Sequence, residues 1–406
     1  MDSKKTAKEN TEKESNNIVL KKAKNTFFQN QQILVDNLRA FSYLNYSLHV
    51  TEYSCCYEIF NLKNNKNNNS FFIAYCSEGN RTIICKYNYE MKQIEEVEVE
   101  DKVFTDKKSE KKIKYFDDPL SKNEYLFFIK DNALLIYLIK SEKEYEFVDE
   151  YKKEGGLGGY CISRAFLPIY NFEIFYNKYD QKNYLIISYF YQRGCMSNRY
   201  DIDILNFEGN KLNVIKSFYF LTFNEKKLFL LYEDKNSKTY YLIIYVKNNI
   251  KYIEINNDFL NEYEEDIDEF PNFFDLINNM DDFYKKLFCE FGCIIYGNDK
   301  NDDILLLSDR YGTILIIDLN KKELIKNLSL QINIKCICDY LDNKIILGMN
   351  NSISVFDVDL GKIITKYEFD FKDDDCLISI QKIICENNDT HFIIIEGSDR
   401  KLRLLY

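Results

Sequence analysis

The sequence predicts an all-β protein assembled from seven like units, and three observations carry that reading. Short, nearly uninterrupted apolar runs rich in Ile, Leu, Phe and Tyr start at residues 71, 125, 184, 240, 304, 345 and 392, reading FFIAYC, YLFFI, YLIISY, YYLIIYV, ILLLS, IILGM and FIIIE. Clusters of Asn, Asp, Gly or Lys bound each run, and a second apolar stretch of similar length follows it. The 406 residues are 46% hydrophobic and 16% aromatic, which supplies side chains enough for a large core and excludes wholesale disorder.

Runs this short make poor buried helices, and their β-branched and aromatic content favours strands. Continuous apolar stretches, as opposed to alternating ones, mean strands covered on both faces. The runs recur every 41 to 64 residues. A unit of that length holds about four strands, the content of one propeller blade, whose inner strands are sandwiched between neighbouring blades. Seven units account for most of the chain beyond residue 40, so the expected fold is a single seven-bladed β-propeller over 26–406. Residues 1–25, rich in Lys, Glu and Asn, are expected to be a disordered tail.

The last three units carry a closer likeness. The stretch Ser308-Asp309-Arg310-Tyr311-Gly312-Thr313, running on to Asp318, resembles the junction of second and third strands in a WD-repeat propeller. Gly348–Lys362 (GMNNSISVFDVDLGK) does too, with Phe356-Asp357 where the Trp-Asp dipeptide usually stands, and Gly397–Tyr406 is similar to a closing blade. The resemblance spans roughly residues 300–406 and implies a WD-repeat-like fold used as a protein-binding scaffold. The chain has no Trp and only two His, His49 and His391, so the family's usual buried polar network has no counterpart here. Each blade is therefore expected to rest on apolar packing. The last unit stops at a third strand, and Ile33–Leu38 (ILVDNL) is expected to supply the missing one and close the ring.

Charge is unevenly distributed. The net charge of −11 comes from 54 basic and 65 acidic residues, and residues 252–284 hold eleven acids with no Lys or Arg. The remainder is formally neutral, so net charge alone disfavours direct nucleic-acid binding without excluding it. Within this segment Pro271 can open a helix, and Phe273, Ile277, Met280, Tyr284 and Leu287 recur at spacings of three or four. An acidic helical insert at about 258–287 is expected, either packed on the propeller or docking a partner. Lys102, Lys107, Lys108, Lys111, Lys112 and Lys114 form a complementary basic stretch, expected as a solvated loop.

Motifs for chemistry are sparse. No CxxC occurs among the twelve cysteines and no HExxH, GxSxG or GKS/GKT string appears, so no metal, cofactor or catalytic residue is assigned. The thiols are expected to be buried and inert. Gly155-Gly156-Leu157-Gly158-Gly159 leads into Tyr160-Cys161-Ile162-Ser163, which resembles a strand and not the helix a phosphate loop needs. Tyr191-Gln192-Arg193-Gly194 holds one of the two Arg that phosphoinositide-binding propellers display. No apolar run approaches the roughly 18 residues of a spanning helix, and the N-terminus has no secretory signal, so an intracellular protein, cytoplasmic or nuclear, is expected.

The expected function is thus a non-catalytic scaffold or adaptor with protein partners in a multi-subunit complex. A membrane-recruited phosphoinositide-binding propeller and a propeller-fold enzyme are the alternatives. Contact candidates on the face carrying second-to-third-strand turns are Arg193, Arg199, Arg310, Tyr311 and Arg400, because Arg and Tyr are common interface anchors. Phe273, Ile277, Met280 and Tyr284 are the candidates on the acidic insert.

Overall fold

A computed structural model describes residues 57–60, 62, 70–76, 82–88, 93–99, 113–130, 132–153, 167, 169–193, 197–222, 228–246, 249–255, 268–269, 290–297, 302–340, 343–368, 377–384, 391–397 and 402–405. They form seven separate antiparallel sheets. The first holds β1 (Tyr57–Phe60), β2 (Ser70–Cys76), β3 (Thr82–Asn88) and β4 (Gln93–Val99). The second holds β5 (Ile113–Asp117), β6 (Glu124–Lys130), β7 (Ala133–Ser141) and β8 (Glu144–Tyr151). The third has the longest strands: β9 (Ile169–Asn177), β10 (Lys182–Arg193), β11 (Ser197–Glu208) and β12 (Lys211–Thr222). The fourth holds β13 (Leu228–Asp234), β14 (Thr239–Val246), β15 (Asn249–Ile255) and the short β16 (Asp268–Glu269). Next come β17 (Phe291–Ile295), β18 (Ile304–Ser308), β19 (Thr313–Asp318) and β20 (Glu323–Ser329). The sixth sheet holds β21 (Cys336–Asp339), β22 (Lys344–Gly348), β23 (Ser352–Asp357) and β24 (Lys362–Glu368). The seventh has β25 (Leu377–Ile384), β26 (His391–Gly397) and β27 (Leu402–Leu405).

Strands within each sheet lie in chain order, each hydrogen-bonded to the next. First strands approach one another from sheet to sheet, β1 with β5, β5 with β9, β13 with β17, β17 with β21 and β21 with β25. The apolar cores lie between consecutive sheets. Phe72 and Ile84 of the first meet Leu126 and Phe128 of the second. Phe127 and Ile136 meet Phe172 and Leu185, and Ile186 and Ile204 meet Leu242 and Ile253. Ile243 and Ile250 then meet Leu305 and Leu315, and Leu306 and Ile316 meet Ile345 and Leu347. A second or third strand packs one face on the preceding sheet and the other on the next, which is why Ile304–Ser308 and Thr313–Asp318 are buried throughout. Fourth strands face solvent on one side and are half-exposed instead.

Two expectations are corrected. The first is a ring closed by an N-terminal strand. The seventh sheet is three-stranded, no described strand completes it, and no sheet closes on itself. Ile33–Leu38 lie outside the described residues, as does the tail 1–25. The second is the acidic helical insert. Among the described residues there is no helix, and the part of 258–287 that is described, Asp268–Glu269, is extended and paired with Lys251 and Tyr252 of β15. The outer edge of β15 carries backbone donors and acceptors that need partners, and an extended pair satisfies them where a helix would not. The result is an all-β, propeller-like stack of open sheets.

The edge strands share a device that the sequence does not announce. On β4, β8, β12, β20 and β24 the pairing to the third strand skips one residue, which is Ile94, Val148, Ile215, Ile325 and Ile364 in turn. For example, Ile316 pairs with Lys326 and Ile317 with Leu324, leaving Ile325 as the extra residue. Such β-bulges bend and twist an edge strand, which makes it a poor template for another strand.

Polar ties between sheets add to the apolar packing. Tyr232 of β13 and Asp303, each 3% exposed, meet across the fourth and fifth sheets through a 3.0 Å hydrogen bond from the phenol. The hydroxyl of Tyr125 donates to Asn210 at 2.7 Å, and the amide of Asn183 to Asp118 at 2.9 Å. Glu233 receives Tyr179 and Lys178 from the third sheet at 2.8 and 2.6 Å. Tyrosine suits these positions because its ring fills the apolar layer while its hydroxyl reaches a carboxylate.

Burial raises the Asp303 carboxyl above its ordinary value, opposed by hydrogen bonds from Gly297 and Tyr232. A folded-state pKa above the unfolded one means that this group favours the fold at low pH and loses that contribution as pH rises. Asp303→Asn is therefore expected to flatten the fall in stability above the ordinary aspartate value of 3.8, measured by urea unfolding at several pH values. Tyr232→Phe, which strips a donor from a buried carboxylate, is expected to cost about 1–3 kcal/mol in the same assay. Deleting Ile325 removes one bulge while leaving the β19–β20 pairs in register, and losing the local bend is expected to cost about 1–3 kcal/mol.

Candidate functional site

Turn geometry decides which side chains the stack presents. Among the described residues, six turns use one device, an Asp or Asn carboxylate or carboxamide oxygen accepting from a backbone N–H two or three residues on. Asp118 accepts from Leu120, Asn177 from Tyr179, Asp234 from Asn236, Asp309 from Tyr311, Asp318 from Asn320 and Asp357 from Leu360, all at 2.8 to 3.0 Å. A turn fixed in this way can hold an apolar tip in water without collapsing onto the body. Leu120, Leu360 and Tyr311 are exposed for that reason, and Tyr311, at 70%, is the most exposed large hydrophobic side chain among the described residues.

Tyr311 sits at the tip of the β18–β19 turn. Asp309, itself buried, also accepts from the N–H of Thr313 at 2.8 Å, and Gly312 takes φ of +85°. Two backbone bonds tie this hairpin to the linker that leads to the sixth sheet, from Leu330 N–H to Gly312 carbonyl and from Ile334 N–H to Arg310 carbonyl. Beside it, the Arg310 guanidinium donates through Nε and Nη2 to Glu290 at 2.7 and 2.6 Å, and lies 5.9 Å from the Tyr311 ring centre. The Glu290 side chain is only 8% exposed, so its charge is held close under the arginine. That pairing raises the arginine's pKa above its already high value. The outcome is a rigid, solvent-facing aromatic with a neutralised cation at its flank.

The candidates taken from sequence divide clearly. Arg310 and Tyr311 are brought together as described. Arg193 and Arg199 lie on the β10–β11 hairpin, in register with Ser197 and Tyr191, at the end of the third sheet that carries its own second-to-third-strand turn. Arg400, Phe273, Ile277, Met280 and Tyr284 lie outside the described residues, and so does Gly155–Gly159. Sequence reading missed Glu290 and the linker 330–335, whose roles depend on contacts 20 residues apart in the chain. Asp309 was a visible signal, since Asp followed by Gly three residues later marks a capped turn.

A second group tests the enzymatic alternative. Asp201 and Asp203 are buried on β11, where Asp203 receives Lys153 and Ser217 at 2.6 Å and Tyr151 at 3.1 Å. Both oxygens of Asp203 are therefore occupied by donors from the second sheet's end and from β12, the arrangement of a strut and not of a poised base. Desolvation pushes the Cys293 thiol well above its ordinary range, which keeps it protonated. Among the described residues no group of three or more His, Cys, Asp or Glu could hold a metal ion. No described helix is long and apolar enough to cross a membrane.

No protein family and no curated protein matches the chain. Solved structures resemble it in fold. The crystal structure of BBS1N in complex with ARL6DN, soaked with lead, aligns with a TM-score of 0.55 at 9% identity, over 88% of this chain and 93% of that one. Sqt1 of Saccharomyces cerevisiae aligns at 0.51 and 8% identity, over 82% and 92%. Raptor of Chaetomium thermophilum aligns at 0.51 and 10% identity, over 83% of this chain but 27% of its own. At such identities the likeness is one of fold, and it agrees with a propeller-like all-β architecture.

The closeness of the hairpin to its linker gives a direct test. A Cβ at Gly312 would stand 2.8 Å from the Ile332 carbonyl oxygen, at a φ that L-residues avoid. Gly312→Ala is expected to destabilise by about 2 kcal/mol or more in thermal or urea unfolding.

Proposed function

We propose that this chain is a non-catalytic scaffold or adaptor that binds proteins or peptides within a larger complex, using the face that carries the β18–β19 turn. The observation that carries the proposal is Tyr311, a large aromatic held in water on a hairpin fixed by Asp309, Gly312 and the linker 330–334. Holding such a side chain exposed costs solvation, and a rigid aromatic anchor loses little entropy when a partner covers it. The bulged fourth strands support the same reading, because they close the outer rim to strand addition and leave the turn faces for binding. Among the fold's solved relatives, BBS1N was crystallised in complex with ARL6DN.

In this proposal Arg193, Arg199 and Arg400 belong to the same face, and Phe273, Ile277, Met280 and Tyr284 of the acidic segment form a second contact. The finer reading, a WD-repeat-like chain, is supported by the sixth sheet. There Phe356 is fully buried in the place of the usual Trp, while Asp357 caps the following turn.

Affinity capture with the tagged 406-residue chain provides the test. Tyr311→Ala is expected to weaken capture of its specific partners by about 30-fold, the effect of losing one anchor residue. Its thermal unfolding should stay unchanged. Recovery of the same partners in the same amounts by wild type and Tyr311→Ala would remove the basis of the proposal.

A further inference from the structure

Resting on that reading, we infer that the segment bound at Tyr311 is an extended peptide stretch with no net charge, bearing an apolar or aromatic residue that stacks on the ring. Three features of the surface argue for this chemistry over an acidic peptide or a phosphate headgroup.

The first is the state of the local charge. Arg310 lies beside Tyr311, and its guanidinium is already committed to Glu290 through two short contacts to one carboxylate oxygen. An anionic ligand would have to compete with that pair, and would meet the repulsion of a glutamate held beneath it. An apolar residue meets no such cost, because the arginine plane beside the tyrosine ring simply extends the stacking surface.

The second is a strip of exposed amides. The linker runs beside the hairpin, with Ile332 against Gly312, and exposes Gln331 and Asn333. It then bonds through Lys335 N–H to the Gly348 carbonyl, next to the β22–β23 turn, which exposes Asn350 and Asn351. Each carboxamide offers both donors and an acceptor, the set a peptide backbone presents in return. Lys335, at the far end of the linker, is exposed and adds one positive charge away from the ring.

The third is rigidity. Hairpin, linker and β22–β23 turn are joined by backbone bonds from Leu330, Ile334 and Lys335, and Met349 N–H closes the last turn on Ser352, so the strip is preformed. A preformed strip of backbone-like groups flanked by one aromatic anchor fits an extended segment better than a compact headgroup.

Panning a random dodecapeptide phage library on the intact chain and on Tyr311→Ala tests this, followed by polarisation titrations of the enriched peptides. Expected are peptides of no net charge with a Pro, aliphatic or aromatic residue, enriched on wild type and absent from Tyr311→Ala. Their Kd should change less than about twofold between about 50 and about 500 mM salt. Tyr311→Ala should weaken them by about tenfold or more, with Tyr311→Phe retaining binding and Asn350→Ala and Asn351→Ala intermediate. Enrichment of acidic peptides with steep salt dependence, or Tyr311-dependent capture of phosphoinositide-containing vesicles, would overturn the uncharged-peptide inference. The acidic-peptide outcome would leave the protein-binding face standing. Equal enrichment on wild type and Tyr311→Ala would overturn both.

Discussion

The inner sheets of this protein depend on having another sheet against both of their faces. The inner strands are apolar in both directions, as β18 and β19 show, so no single sheet could stand in water with such a sequence. That requirement sets the order of the stack, since the nearest sheet in the chain is also the one each core is shared with. It also explains the division of labour among strands. Second and third strands supply the core, first strands line up beside their counterparts, and fourth strands meet solvent and take polar residues. The interaction surface follows from the same constraint, because with both faces of the sheets consumed, turns and linkers are what remain for recognition.

Against that apolar background the tyrosine–carboxylate ties have a distinct task. Hydrophobic contact between two sheets is tolerant of sliding, whereas a phenol bonded to a single buried acid is not. Tyr232 with Asp303, and Tyr179 and Lys178 with Glu233, fix the relative height of consecutive sheets near their turns. Burial and bonding pull the acids in different directions. Burial lifts Asp303 upward, while in Glu233 the same burial is outweighed by bonds from Lys178, Tyr179 and Tyr240, leaving its carboxyl below the usual range. The ties thus draw on neutral and charged hydrogen bonds alike.

The inner strands were legible in the sequence because burial on both faces leaves a continuous apolar run, and FFIAYC, YLIISY and ILLLS all fall in second strands. The fourth strands were less legible. A bulge such as Ile325 shifts the phase of alternation partway along, so Leu324 and Lys326 no longer follow one inward-outward rhythm. Turns were muted as well. Lys122, Gln181, Lys238, Lys322 and Asn343 adopt positive φ where a glycine would have marked the turn. The polar ties were hidden for a different reason, since 33 tyrosines and 65 acids offer far too many pairings to choose from. At the candidate site Arg310 and Tyr311 were readable as residue types, but the glutamate that neutralises the arginine lies 20 positions earlier and no local pattern joins them. The helix expected over 258–287 rested on Pro271 and the Phe273–Tyr284 spacing, whereas the described part of that segment, Asp268–Glu269, is an extended pair on the edge of β15.

The repeated bulge carries a consequence for how the chain assembles. Seven units of similar length and composition emerge one after another, and each exposes strands that resemble those of its neighbours. During folding, the greatest hazard for such a chain is a strand from one unit zipping onto the wrong unit. An extra residue placed on five of the fourth strands matches each to its own third strand and leaves the opposite side out of step. Units can then dock face to face, through their side chains, but cannot merge edge to edge into one continuous ladder. The bulge acts as punctuation between repeats, separating units whose sequences would otherwise run together.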